Sequence, residues 1–282
     1  MLNALTIDLE DWYHPELVRP GLPPGQPEAQ IEQSTMVLLD LLASRRIEAT
    51  FFIVGEVAVR HPQLIRAIAE GGHELACHGM SHYPLWQMSP DQFGMELAEF
   101  ARVMEELLPG LEIAGFRAPT FSLDRRTGWA LGKLVEAGYR YDSSIFPMRT
   151  PLYGVSNAPL FPYRPAAEDI TRADGGSVVE FPLSVWSRVG IRVPVCGGFY
   201  LRVLPLGFLK ACLRDINRER PFVIYLHPWE AYAGTPRLSL PALSRWATYH
   251  NAASMLDRLT AILDAFDFAP MRTVLAERGD LN

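Results

Sequence analysis

The chain has 282 residues, with 26 Lys and Arg against 32 Asp and Glu, which gives a formal net charge of −6 at pH 7. Hydrophobic residues make up 49% of the sequence, enough to bury one sizeable core. The acidic balance and the lack of a basic run argue against a nucleic-acid partner, because such proteins present a basic face.

Short apolar strands alternate with amphipathic helices along the chain. In chain order we predict strand 2–8, helix 33–44, strand 49–54, helix 62–70, strand 73–77, helix 89–108, strand 113–118, helix 124–137, strands 139–142 and 177–185, helix 204–218, strand 221–227 and helix 252–266. Such alternation implies parallel pairing with right-handed crossovers. We therefore expect an α/β fold in a single catalytic domain over residues 1–282, with segment 146–176 as a functional rim or lid.

The cysteines and the N-terminus carry information about the compartment. Cys77, Cys196 and Cys212 have no framework spacing, which is typical of reduced thiols. The first residues lack the basic and apolar stretches of a signal peptide, and no apolar run approaches the ~20 residues that cross a bilayer. These features predict a cytoplasmic protein without a transmembrane segment, and they leave the oligomeric state open.

Polar side chains follow the ends of five predicted strands. Asp8-Leu9-Glu10-Asp11 ends the first strand, and the others end at His78, Arg117, Asp142 and His227. The carboxyl ends of parallel strands gather at one face of an α/β fold, where such proteins place their sites. We therefore predict that these side chains share one site.

The pentapeptide His78-Gly79-Met80-Ser81-His82 predicts a metal site. Two histidines four positions apart lie on one face of a helical turn, so both can reach one ion. Strand alternation sends positions 8 and 10 to the same side, so one of these acids can bind the metal while the other transfers a proton. This combination indicates metal-assisted hydrolysis.

Seven short motifs follow one another between residues 6 and 230: TIDLEDW at 6–12, ATFF at 49–52, GHE at 72–74, HGMSH at 78–82, GFRAP at 115–119, YDSSIFP at 141–147 and LHPWE at 226–230. The ordered set resembles the polysaccharide deacetylases of carbohydrate esterase family 4. Within that family it is most similar to the subgroup associated with exosortase and exopolysaccharide loci. The resemblance implies a distorted, incomplete (β/α) barrel of about seven parallel strands, a divalent metal that is usually zinc, and removal of an N-acetyl group from a carbohydrate substrate.

The resemblance also implies the metal ligands and the general base. His78 and His82 match the two histidine ligands. Many relatives have two adjacent aspartates, whereas this chain has Asp8-x-Glu10-Asp11. By the match with the branch that has this spacing, Asp8 is the base and Glu10 the third ligand, with Asp11 as the rival ligand.

Further residues receive roles from the same resemblance. His227 matches the catalytic acid that protonates the departing amine, and Arg117 matches the arginine that pairs with the base. Asp142 is expected to orient His227, and a backbone N–H near Thr120 to stabilise the oxyanion. The candidates for substrate binding are Thr120, Phe121, Trp12, Trp229 and Leu226.

Several alternatives stay open at this stage. A different hydrolase on the same scaffold would cleave a small amide or cyclic ureide, and a non-catalytic carbohydrate-binding protein would keep the fold without the chemistry. The sugar can belong to a polymer, a lipid-linked precursor or a nucleotide sugar. Two histidines and a carboxylate suit zinc best, with cobalt, nickel or iron as other choices.

Overall fold

The structure is a computed structural model that describes residues 1–25, 27–166 and 168–281. Its ten strands are β1 (Asn3–Leu9), β2 (Thr50–Ile53), β3 (Glu74–Cys77), β4 (Gly115–Phe116), β5 (Tyr141–Asp142), β6 (Val179–Glu180), β7 (Val185–Arg188), β8 (Ile191–Pro194), β9 (Val223–Leu226) and β10 (Phe268–Ala269). Seven of them pair in parallel in the order β9-β1-β2-β3-β4-β5-β6, and β10 pairs with the first residues of β1. The predicted barrel of about seven parallel strands is confirmed as a curled half-barrel.

Ten α-helices accompany the strands within the described ranges: α1 (Ile31–Arg45), α2 (Gly55–Arg60), α3 (Pro62–Glu70), α4 (Pro90–Leu107), α5 (Ala130–Glu136), α6 (Gly198–Val203), α7 (Leu206–Asn217), α8 (Ala242–Tyr249), α9 (Met255–Leu263) and α10 (Met271–Glu277). None of the helices in these ranges combines the length and the apolar character needed to cross a membrane. The three cysteines are free thiols in buried positions.

The alternation of side chains along β1 separates two apolar layers. Leu5 and Ile7 pack into the larger cluster, which includes Leu38 of α1 and Ile65 of α3. Ala4 packs instead into the second cluster, with residues of β2, β3, β5 and β9. Because successive side chains point to opposite faces, Asp8 lies on the same face of the sheet as Ala4. The strand thus carries a carboxylate into the interior of the half-barrel.

The structure corrects the element predictions in three places. Residues 185–194 form an antiparallel hairpin of β7 and β8 rather than continuing the parallel alternation. The helices α2, α6, α8 and α10 and the two-residue strand β10 were not predicted, because the helices have only six, six, eight and seven residues. The predicted helix 124–137 is shorter, since only Ala130–Glu136 is α-helical.

Candidate active site

Glu10, His78 and His82 form the one cluster in the described part of the chain whose side chains are placed to hold a metal ion. Their ligand atoms all lie within 4.8 Å of one another. All three residues are buried, and His82 Nε2 lies 2.5 Å from Glu10 Oε2. Neither ring nitrogen of His82 has a hydrogen-bond partner among the described residues. Buried polar atoms are almost always satisfied, so this arrangement fits a cation bound between the ligand atoms.

A loop, and not a helical turn, brings the two histidines together. Gly79 has φ +75° and His82 has φ +58°, both in the left-handed region, so the predicted helical turn is wrong. The Glu96 carboxylate stabilises the loop by accepting hydrogen bonds from the backbone N–H groups of Met80 and Ser81 at 2.9 Å. The two imidazole rings still lie 5.1 Å apart, so the predicted convergence holds with a different backbone.

The surroundings of His78 determine which ring nitrogen is free. Its Nδ1 lies 2.7 Å from the carbonyl oxygen of Arg117, which can only accept. The proton is therefore on Nδ1, and the Nε2 lone pair is available for a metal. Burial lowers the pKa of His78 to about 4, which keeps the ring neutral at pH 7.

Asp8 is held by a buried arginine. Arg117 Nη1 donates to Asp8 Oδ1 at 2.6 Å, and the guanidinium is fixed by the carbonyl oxygen and hydroxyl of Ser143. It also lies 4.1 Å from the ring centroid of Phe52. These contacts hold one oxygen of Asp8, while Oδ2 lies 3.9 Å from His227 Nε2. The predicted pairing of Arg117 with Asp8 is present in the structure.

His227 lies between two carboxylates. Its Nε2 is 3.2 Å from Glu10 Oε1, and its Nδ1 is 2.9 Å from Glu230 Oε2. Burial lowers the pKa of His227, but the negative charges of Glu10, Glu230 and Asp8 outweigh it and raise this pKa to about 9. The imidazolium is therefore favoured near neutral pH, which is the form that can donate a proton.

Glu230 is a site residue that the sequence interpretation missed. Its Oε1 accepts from Arg202 Nη2 at 2.9 Å, and both residues are buried. Burial raises the pKa of Glu230, but His227 and Arg202 lower it to about 2, so the carboxylate is charged. The LHPWE motif contained a signal for this contact. An acid three residues after a histidine can contact the imidazole across a tight turn.

The carboxylate of Asp11 is occupied elsewhere. One oxygen accepts from the backbone N–H of Trp12 at 2.8 Å, and the other accepts from Gln30 and Ile31 at the start of α1. Three backbone donors therefore use the oxygens that a metal would need. The structure favours Glu10 over Asp11 as the third ligand, and the choice stays a prediction.

Asp142 does not contact His227 in the described structure. Its Oδ1 accepts from Ser144 Oγ at 2.6 Å, and its carboxyl group lies beside that of Glu180, its register partner on the neighbouring strand. The expectation that Asp142 orients His227 is therefore corrected, because Glu230 occupies that position. Burial, together with the charge of Asp142, raises the pKa of Glu180 well above its usual value, so its neutral, protonated form is favoured in the folded protein.

The Asp142–Glu180 pair makes stability depend on pH. The folded-state pKa of Glu180 exceeds its unfolded value, so its contribution to stability is complete below the unfolded pKa and is lost as pH rises through the folded pKa. Glu180→Gln is expected to remove this loss, which amounts to at most about 1.4 kcal/mol per pH unit. Urea unfolding of both proteins at a series of pH values from 4.5 upward measures the difference, and identical pH profiles would contradict the raised pKa of Glu180.

The strand ends open into a cavity of about 470 Å³. Its lining includes the cluster, Asp8, His227 and three of the predicted substrate-binding residues, Thr120, Phe121 and Trp229. The other two predictions are corrected. Leu226 is fully buried in the helix-side core, since the opposite face of β9 belongs to Tyr225, and Trp12 donates its indole N–H to the Glu28 carbonyl outside the cavity. Leu152 and Tyr153 also line the cavity, and both belong to segment 146–176, which was predicted to form a rim or lid. Lining residues that the sequence did not indicate include Phe199, Tyr200, Leu243 and Trp246.

These features define an α/β half-barrel protein with a candidate mononuclear metal centre at its strand ends. Residues 24–141 match the family model described as polysaccharide deacetylase, and residues 143–276 match a domain of unknown function, DUF3473. The predicted resemblance to the polysaccharide deacetylases is thereby confirmed. The association with the exosortase subgroup stays a prediction, with which the DUF3473 match is consistent.

The chain is similar to proteins of known name over short stretches. It is 41% identical over 86 residues to a chitooligosaccharide deacetylase of Rhizobium leguminosarum bv. phaseoli, which covers 30% of this chain and 38% of the relative. It is 30% identical over 73 residues to a peptidoglycan-N-acetylglucosamine deacetylase of Bacillus cereus, which covers 26% of each. The chain thus spans well under half the length of these relatives.

Solved structures show the same fold over nearly the whole chain. A candidate polysaccharide deacetylase from Mycobacterium smegmatis has a TM-score of 0.61 at 22% identity, covering 100% of this chain and 91% of that one. The allantoinase PuuE has a TM-score of 0.57 at 16% identity, covering 97% and 88%. At these identities the likeness establishes the fold and leaves the substrate open.

Proposed function

We propose that this protein is a metal-dependent deacetylase that hydrolyses the acetamide of an N-acetylated sugar and releases acetate. The observation that carries the proposal is that Asp8 and His227 line the same cavity as the Glu10-His78-His82 cluster, with His227 Nε2 3.9 Å from Asp8 Oδ2 and 3.2 Å from Glu10 Oε1. The deacetylase names of the relatives support the reaction type. A single domain over residues 1–282 is part of the proposal, since one sheet runs through both matched regions.

Each of these side chains has a distinct role in amide hydrolysis. Glu10, His78 and His82 would hold the ion, and two imidazoles with a carboxylate suit zinc. A divalent metal there supplies Lewis acidity to the carbonyl group and lowers the pKa of water. Asp8, positioned by Arg117, accepts a proton from the attacking water. His227 donates a proton to the nitrogen as the C–N bond breaks, so the products are acetate and a free amine.

Acetate release tests the proposal directly. We expect the purified protein to release acetate from N-acetylated chitooligosaccharides, to lose this activity after chelation and to regain it with zinc. Allantoin serves as the comparison substrate, because the fold is shared with an allantoinase. Turnover of allantoin without acetate release from any N-acetylated glycan would overturn the proposal and favour the ureide hydrolase.

Glu230→Gln tests whether this carboxylate positions the acid. The variant keeps an oxygen near His227 Nδ1 but removes the charge that favours the imidazolium. We expect kcat to fall about tenfold to hundredfold with the metal content unchanged, because general acid catalysis by His227 would be weakened but not abolished. Steady-state kinetics and metal analysis measure this, with Glu74→Gln as the comparison, because Glu74 accepts from Thr50 outside this cavity. An unchanged kcat in Glu230→Gln would remove the positioning role.

A further inference from the structure

The cavity is much more apolar away from its reaction centre than a sugar alone requires. Three separate segments place large apolar side chains around it: Leu17 from the N-terminal loop, Leu152 from the segment after β5, and Leu243 and Trp246 from α8. Phe199 on α6 adds a further aromatic ring. These residues are far apart in the chain, so their convergence is a property of the tertiary structure.

Two hydroxyl groups in this part of the cavity are engaged within the protein. The Thr150 hydroxyl donates to the Tyr153 carbonyl at 2.7 Å, and the Thr248 hydroxyl donates to the Ser244 carbonyl at 2.8 Å. A chain of several sugars presents many hydroxyl groups that need partners. Engaged hydroxyls and aliphatic side chains serve such a ligand poorly.

The charged groups of this cavity offer no free partner to an anionic extension of the substrate. Outside the reaction centre, the charged residues among its described lining are Glu16 and Arg202. Arg19 pairs with Glu16 at 3.0 Å, and Arg202 is buried against Glu230 at 2.9 Å. The described lining thus offers no unpaired guanidinium or ammonium group to a phosphate.

The apolar rim is left in contact with water. Leu17, Leu152, Leu243 and Trp246 are 40%, 45%, 76% and 43% exposed. A group of exposed large apolar side chains around one opening marks a binding surface. Because the same cavity contains Asp8, Glu10 and His227, its occupant is part of the substrate that reacts there.

We propose that the substrate of this site is an amphiphile: an N-acetylated amino sugar whose anomeric oxygen carries an uncharged aliphatic chain that lies against Leu17, Leu152, Leu243 and Trp246. This inference rests on the proposed deacetylase function and deepens it by naming the substrate class. It favours a chain on the aglycone side over a nucleotide sugar or a free polysaccharide.

Alkyl glycosides of N-acetylglucosamine test the proposal. Acetate release is measured for the methyl, hexyl and octyl glycosides below their critical micelle concentrations, and for chitotetraose. Each methylene that becomes buried changes a binding equilibrium about fourfold. We expect kcat/KM for the octyl glycoside to exceed that for the methyl glycoside by at least about tenfold, with incomplete burial of the chain allowed for.

Rim variants identify where the chain binds. Leu152→Ser and Leu243→Ser change exposed residues, so the fold is preserved, and each is expected to lower the octyl-to-methyl ratio of kcat/KM about threefold or more. Leu111→Ser is the matched control, because Leu111 is 42% exposed and lies outside this cavity. A ratio that falls equally in the control would overturn the placement of the chain.

Three results would overturn the proposal: equal kcat/KM for methyl and octyl glycosides, a preference for chitotetraose, or a preference for N-octanoylglucosamine, which would place the chain on the acyl side. If no substrate releases acetate, the proposed function fails. The affinity of the protein for the two glycosides then tests the amphiphile proposal independently of activity. Binding is then measured by the quenching of Trp246 and Trp229 fluorescence. The dissociation constant of the octyl glycoside should be at least about tenfold lower than that of the methyl glycoside. Equal binding of the two would overturn it.

Discussion

The Asp8→Asn variant is expected to lose about 10²- to 10⁴-fold in kcat while it still binds metal, because it removes the general base and leaves the Glu10-His78-His82 cluster intact. The amide oxygen can still accept from Arg117, but the guanidinium loses its buried counter-charge. We therefore also expect the free energy of unfolding to fall by about 3 kcal/mol. Acetate release, metal analysis and urea unfolding give the three readouts.

Asp11→Asn is the matched control for this variant. Asp11 is another acid of the same cluster in the sequence, but its oxygens accept from the backbone N–H groups of Trp12, Gln30 and Ile31. We expect near-normal kcat, with a stability loss of about 1 kcal/mol from the weakened start of α1. The assignment of the base is wrong if Asp8→Asn keeps near-normal kcat or if Asp11→Asn has the larger kinetic effect.

The His82→Ala variant is expected to bind metal more than about 100-fold more weakly, since even the loss of an outer-shell partner costs 10–100-fold. His82 has no hydrogen-bond partner in the described structure, and its close contact with Glu10 belongs to the cluster itself. Activity should fall with the metal content. Metal titration of the chelated protein, followed by calorimetry, measures the affinity.

His73→Gln provides the comparison for His82→Ala. His73 lies outside the cluster, where its Nδ1 accepts from the backbone N–H of Ala49. This variant should bind metal as the parent protein does. Stoichiometric metal bound with parental affinity in His82→Ala would refute the ligand assignment, whatever the kinetics show.

The catalytic acid and the substrate cavity are physically connected in this structure. Arg202 donates to Glu230 and to the carbonyl oxygens of Ala247 and His250, at the end of α8. Glu230 in turn holds His227. One buried guanidinium therefore positions both the acid and the helix that carries Leu243 and Trp246. Variants at the rim should be made at exposed positions, because changes at Arg202 would affect both functions at once.

Local sequence patterns predicted most of the parallel strands and the main helices. The helix predicted at 62–70 is observed with the same bounds, and the strand predicted at 73–77 is observed at Glu74–Cys77. These predictions succeed because hydrophobic periodicity and Pro and Gly at helix ends are local properties. The hairpin of β7 and β8 and the helices α2, α6, α8 and α10 were missed, because each of these elements has only four to eight residues.

The sequence by itself determined the strand ends and the residue types placed there. Asp8 is near the end of β1 and Glu10 follows the strand directly, and the ends of parallel strands meet at one face of the sheet. Asp8, Glu10, His78, His82, Arg117 and His227 were named on this basis and on the motif resemblance, and the structure brings all six together.

Only the tertiary structure decided which partner each side chain takes. Asp11 turns to the start of α1, Asp142 turns to Glu180, and Glu230 binds His227. The apolar rim likewise comes from three segments that are distant in sequence. These contacts depend on distances between atoms of different elements and on burial. Neither property produces a repeating pattern in the sequence. A sequence pattern therefore indicates the chemistry that is available, and packing selects the groups that carry it out.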